Sequence, residues 1–500
     1  MQEKLHQLRS IQAEIIDLSQ VVGLLGWDQQ VNMPPAAAEA RGNQMATLQQ
    51  LIHIKSTTPE LGQLLDDLVE AAKNLDPDSD EAREIKVSKR AFDQTVKVPP
   101  EFSAKLARVT AAANQAWAEA RAENNFSKFQ PHLEKIVALE QEFVEYFAPY
   151  KHVYDPLLDQ FEPGMKTDDV KAIFDALRPQ QVELIKAITA SPQVDDTFLH
   201  QKYDEQKQWD FGEAVITKFG YDWNRGRQDK TVHPFTSNFG RTDVRITTRV
   251  YPNYIASALF STMHECGHAL YELGSSPDYE RTALAGATSL AIHESQSRMY
   301  ENLIGRSMPF WEHFYPQLQA VFPAQLGNVE INTFYKGINK VEPSLIRVEA
   351  DEATYNLHIM LRLEIEIGLL EGKLSVKDLP EIWNTRMQEY LGVTPTNDAE
   401  GVLQDIHWSW GMLGYFSTYA LGNLISGQLW EKIHIEIPDL EDQIRQGEFS
   451  NLLEWLIENI HKHGKKYEPQ ELVKRVTGSK IDPAPYMRYL NKKYSGIYGL

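Results

Sequence analysis

Residues Ser261–Gly274 read "STMHECGHALYELG". Two histidines, His264 and His268, stand one helical turn apart, with Glu265 beside the first and the chain's single cysteine, Cys266, between them. At about 100° per residue the two imidazoles lie roughly 40° apart around a helix, so both can reach one ion. Glu265 points about 100° further round, near such an ion but past it, where it can hold a water and take its proton. Cys266 falls on the helix's far side and reads as a small packed residue. The H-E-x-x-H pattern also has a bland explanation, two surface or core histidines, because a chain with 15 histidines can meet it by chance.

A catalytic metal needs three protein ligands and one open position. The stretch "TSLAIHESQSRMYENLIG" begins 20 residues after His268 and reads as a second helix. Glu294, 26 positions beyond His268, offers a carboxylate at the spacing of a His₂Glu ligand set. Its neighbour His293 has the weaker claim, because adjacent helix residues point about 100° apart. The candidate ligands are therefore His264, His268 and Glu294, holding one zinc ion, with cobalt able to use the same set. Glu265 is the candidate general base.

Away from this region the chain is helical in pattern. "PHLEKIVALEQEFVEYFAPY" (131–150) and "EPSLIRVEADEATYNLHIMLRLEIEIGLL" (342–370) space apolar residues three and four apart. The run "DPDSDEAREIKVSKRAF" opens with Asp and Pro, a helix-start signal. Breaks fall at "MPP" (33–35) and "VPP" (98–100). One region departs from this: "HPFTSNFGRTDVRITTRVYP" (233–252) alternates β-branched and polar residues at strand spacing. No internal repeat, low-complexity tract or Gly/Ser linker appears. The expectation is a mainly α protein with a deep cleft between two helical lobes. Residues 1–500 form one catalytic unit, with a small sheet at about 231–251 and metal-binding helices at about 254–306.

The totals narrow the function. A formal charge of −20 and a pI near 5.3 repel nucleic acid and anionic membrane surfaces, and no Lys/Arg run offsets them. The N-terminus has no apolar segment of signal-peptide length, and no stretch approaches the roughly 20 apolar residues of a membrane helix. A single cysteine forms no intrachain disulfide. The expected location is cytoplasmic.

Six short motifs follow one another in order: HPF at 233–235, DVRIT at 243–247, HExxH at 264–268, HESQ at 293–296, IRVEAD at 346–351 and GVLQDIHW at 401–408. Together with "GWDQQVNMPPAAAEARGNQMATL" near the N-terminus, this set resembles the carboxypeptidase Taq-type metallocarboxypeptidases, the thermostable carboxypeptidase 1 family. The resemblance implies a helical zinc-peptidase fold like those of neurolysin and angiotensin-converting enzyme, and a homodimer. It implies release of single C-terminal amino acids from peptides with a free C-terminus, with broad specificity. By motif position it assigns the metal to His264, His268 and Glu294, and the base to Glu265.

The remaining chemistry needs oxyanion donors and a carboxylate anchor. His407, in the last motif, and Tyr419, 12 positions on, match the downstream His and Tyr of similar zinc peptidases, with Tyr415 competing for the second role. A terminal carboxylate suits a guanidinium fork. The candidates are Arg347 and Arg245, each of which could instead be salt-bridged to its motif aspartate, Asp351 or Asp243. His233 is a candidate for the substrate backbone, or else a turn residue before Pro234. By analogy with other zinc peptidases, the strand around Arg245 could pair with an extended peptide through a free edge. The rival readings are an oligopeptidase or dipeptidyl carboxypeptidase on the same site, and a helical scaffold with a structural metal.

Overall fold

Several helices start where the sequence supplies a side-chain cap. Ser79, Asn125, Asp204, Ser289 and Ser307 each accept a hydrogen bond from a backbone N–H in the first turn that follows. The computed structural model, which covers residues 1–500, is accordingly built mostly from α-helices. Ser79 moves the helix expected from Asp76 to Asp80–Lys97. The helix expected over 131–150 spans Phe126–Glu145, with Pro131 inside it.

The long helix expected over 342–370 is corrected at its N-terminal half. Regular α-helix begins only at Tyr355 and runs to Leu370. Ahead of it the Asp351 carboxylate accepts the backbone N–H groups of Ala353, Thr354 and Glu342, which closes a turn that a continuous helix could not contain.

The sheet has three strands: β1 (Gln228–Lys230), β2 (Thr236–Asn238) and β3 (Val244–Thr248). Its order is β1-β3-β2, with β1 parallel and β2 antiparallel to β3. It therefore begins earlier than the expected 231. A second correction follows from this order. Arg245 lies on the central strand, whose two edges are both occupied, so the edge left free beside the site belongs to β2.

One hydrophobic core of 101 buried residues fills the body from Phe102 to Tyr498. Seven residues (Leu5, Leu8, Leu61, Leu64, Leu65, Leu68 and Ile85) form a separate core among the N-terminal helices. Trp27 ties these helices to the sheet, since its indole lies under the Arg245 guanidinium at 4.4 Å. No helix is long and apolar enough to cross a membrane.

Candidate metal centre

The histidine helix, Ile255–Leu273, is a core element, with 15 of its 19 residues buried. The four that are not are Ser257, Ser261, His264 and His268. Their spacing of four, three and four is one stripe along a helix face. Both histidines thus stand on the only accessible strip of an otherwise enclosed element, and Cys266 is fully buried.

The acid helix, Leu290–Arg298, continues as a π-helical turn through Met299–Ile304. Two glycines set its distance from the neighbouring helices. A Cβ on Gly267 would lie 2.6 Å from the Ser297 Cα, so the histidine helix crosses the acid helix in backbone contact. A Cβ on Gly422, in the Ser417–Glu436 helix, would lie 2.7 Å from the Cβ and Cγ of Glu294. Glu294 is pressed from that side towards the histidines.

The three donors converge. Glu294 Oε2 lies 3.8 Å from His264 Nε2 and 3.5 Å from His268 Nε2, and one ligand atom from each residue falls within 4.8 Å of the others. Tetrahedral bonds of zinc length place ligand atoms roughly 3.3 Å apart. The set therefore fits a divalent ion with little adjustment, and two nitrogens with a carboxylate suit zinc or cobalt.

Side chains behind the ligands fix their orientation. His264 Nδ1 is 2.8 Å from Glu301 Oε2. Arg298 donates its Nε to Glu294 Oε1 at 2.7 Å and an Nη to Glu301 at 3.1 Å, leaving Glu294 Oε2 to face the histidines. On the other side, His268 Nδ1 meets His293 Nδ1, and His293 Nε2 lies 3.0 Å from Glu272 Oε1. His293 thus supports a candidate ligand and stands outside the candidate ligand cluster. Such outer partners select which ring nitrogen is free for the metal.

Charge follows the geometry. Burial opposes ionisation of Glu294, but Arg298 and the two histidines outweigh it and hold the carboxyl well below its usual range. Burial likewise opposes the His264 cation, yet Glu294 and Glu301 raise its pKa. Burial and then His293 push His268 down to about 3, which keeps it neutral. Glu265 is buried beside the cluster, and that burial raises its carboxyl above the usual range. Thr236, the first residue of β2, donates its hydroxyl to Glu265 Oε2 at 2.7 Å and so aims the carboxylate.

The remaining candidates divide. Tyr419 OH lies 3.4 Å from His407 Nε2, and the Tyr415 ring centroid lies 5.3 Å from each of those two rings, tilted to His407 and edge-on to Tyr419. Arg347 is held by Asp405, not Asp351: its Nε and Nη2 donate to Oδ1 at 3.0 and 2.8 Å. Its Nη1 donates to Tyr355 OH at 2.7 Å, and the Tyr355 ring in turn stacks under Arg298. Arg245 is bound by Asp243 through Nε and Nη2, each at 2.8 Å, between the Trp27 and Phe239 rings. His233 is exposed on the loop ahead of β2.

Sequence reasoning missed Glu301, Arg298, Glu272 and Thr236. A signal was present for three of them. Glu301 follows Glu294 by seven residues, Arg298 follows it by four, and Glu272 follows His268 by four, all same-face helical spacings.

The comparisons with known proteins agree with one another. Residues 7–494 match the family model described as carboxypeptidase Taq (M32) metallopeptidase. Thermostable carboxypeptidase 1 of Thermus thermophilus is 41% identical over 98% of this chain and 98% of its own. Carboxypeptidase 1 of Bacillus subtilis is 37% identical over 98% of this chain and 99% of its own. The crystal structure of an M32 carboxypeptidase from Deinococcus radiodurans superposes with a TM-score of 0.96 at 38% identity, covering 100% of both chains.

Proposed function

The chain belongs to the carboxypeptidase Taq (M32) metallopeptidase family and is a metallocarboxypeptidase; from that premise we propose that it releases single C-terminal amino acids, with broad specificity, by general-base hydrolysis. In this reading residues 1–500 act as one unit, with the substrate in a cleft over the histidine stripe. His264, His268 and Glu294 would hold one divalent ion, zinc or cobalt. The observation that carries the proposal is the convergence of these three donors beside a carboxylate, Glu265, aimed by Thr236.

Bound there, the ion supplies Lewis acidity for water and for the scissile carbonyl. The chain's own groups do the rest. Glu265 takes a proton from the attacking water and returns it to the leaving amine, a task suited to a carboxyl whose pKa burial has raised. The Tyr419 hydroxyl and His407 are the donors for the developing oxyanion, with Tyr415 as the alternative hydroxyl. His407 acts as a neutral imidazole, because burial pushes it down to about 4. Arg347 is the better placed anchor for the terminal carboxylate: Asp405 and Tyr355 fix its plane and leave one N–H on each terminal nitrogen. Arg245, clamped between Asp243 and Trp27, and His233, on the entry loop, would act only on a more distant part of the peptide.

The test is residue release from a panel of N-blocked tripeptides. The expected result is one amino acid from each free acid, none from the C-terminal amides, loss of activity with chelator and recovery with zinc or cobalt. Release of dipeptides, or equal cleavage of the amides, would favour a dipeptidyl carboxypeptidase or oligopeptidase on the same site. The homodimer that the family resemblance implies, and the cytoplasmic location read from the sequence, are part of this proposal. Sedimentation at micromolar concentration reads the oligomer, and a monomer there would remove it.

A further inference from the structure

A cavity of about 520 Å³ opens on the Glu272 side of the metal centre, between the N-terminal helices and the loop at Thr282–Gly286. Ile15, Ile16, Leu61 and Phe92 form an apolar wall, and Gln12, Gln20 and Asn238 supply amides. Of the 20 residues lining it, one is charged: Lys465.

Lys465 has no partner. Its side chain makes no ion pair and no hydrogen bond, and its Nζ stands against the backbone at Gly286, 4.0 Å from where a Cβ would be. Lys465 is exposed, so its ammonium is solvated at the cavity mouth, on the side that faces Glu272. A solvated ammonium that no carboxylate holds can pair with an incoming anion without breaking an existing salt bridge.

The cavity is connected to the metal centre by β2. Thr236, at the start of the strand, bonds Glu265. Asn238, at its end, donates to Glu272 and lines the cavity. The strand therefore runs beside the histidine helix from the base to the cavity, with one edge free for a peptide. An extended peptide advances about 3.3 Å per residue, and Thr236 to Asn238 spans two residues, so one laid along that edge reaches the cavity at least two residues from the scissile bond. Arg347, Tyr355 and Tyr419 lie on the opposite flank, behind Glu294 and Arg298.

We propose that Lys465 pairs with a carboxylate of the peptide substrate, namely an acidic side chain two or more residues on the amino-terminal side of the cleaved bond. This rests on the peptidase reading above. The enzyme is then broad at the released residue but selective for charge upstream.

The experiment compares matched free-acid peptides carrying Glu or Gln at each upstream position, using wild-type enzyme, Lys465→Gln and Lys465→Arg. For the wild type, kcat/KM should favour Glu over Gln at one position by about fivefold, less in high salt. Lys465→Gln should bring that ratio to about one, and Lys465→Arg should preserve it. A ratio that is the same in wild type and Lys465→Gln overturns the proposal. A uniform rise in KM for every free-acid peptide in Lys465→Gln would make the terminal carboxylate the partner and overturn the upstream assignment. Turnover of the Gln peptides by the wild type separates these outcomes from failure of the peptidase reading, which would leave no peptide cleaved. Thermal melting of each variant confirms that it is folded.

Discussion

The two flanks of the metal centre are built in opposite ways. Behind His264 and Glu294, charges are matched and enclosed: Glu301 with Arg298, and Arg347 and Arg362 together on Asp405, with Tyr355 linking the two groups. Behind His268 the relay passes through His293 to Glu272 and ends at Asn238 and a cavity whose one charged residue is unpaired. The first flank holds groups at fixed positions, as the proposed recognition of a terminal carboxylate requires. The second leaves its charge free, as suits the part of a peptide that varies from one substrate to the next.

The largest expected effect lies on the closed flank. Asp405→Asn leaves two buried guanidiniums facing each other without a counter-charge, and stability should fall by about 3–5 kcal/mol in denaturant melts at pH 7. The sign with pH is fixed. Burial opposes the Asp405 charge, but Arg347 and Arg362 depress its folded pKa far below the unfolded value of about 3.9. The stabilisation is therefore complete above that value and is lost as pH falls below it, so wild type and variant should converge in acid. A difference that persists unchanged at pH 2 would mean the loss is steric.

Glu301→Gln removes the anion that His264 Nδ1 contacts, whereas Glu272→Gln acts on His268 only through His293. Competition titration with a chelating dye should show zinc affinity reduced by about 10–100-fold in the first and by a smaller factor in the second. Equal losses would mean that the His293 relay transmits charge as well as a direct contact does. The smallest effect belongs to Arg245→Gln. It loses stacking on Trp27 worth about 0.5–1 kcal/mol and should leave the KM of free-acid peptides unaltered. A severalfold rise in that KM would return Arg245 to the substrate site.

The sequence made the candidate metal ligands readable because their geometry is local. His264 and His268 share one turn, and a helix presents them together wherever the rest of the fold lies. Glu294 was readable from its spacing and motif, although its approach depends on Gly267 and Gly422, whose role appears only when three helices meet. Arg347 shows where such reading stops. Asp351 is four residues away and looks like its partner, but Asp351 is spent on backbone N–H groups and the salt bridge goes to Asp405, 58 residues on. The strand β1 escaped for a similar reason: its three residues are polar, and a distant segment, β3, supplies their pairing. Over 342–370 the apolar period continued through a region where a carboxylate-closed turn interrupts the helix.

The account rests on one ion shared by His264, His268 and Glu294, and crystals soaked in zinc test it most directly. Anomalous difference maps at the zinc edge should show one strong peak about 2 Å from His264 Nε2, His268 Nε2 and Glu294 Oε2. A peak bound elsewhere, or a Glu294 carboxylate turned wholly onto Arg298 with the zinc held by the histidines alone, would contradict it.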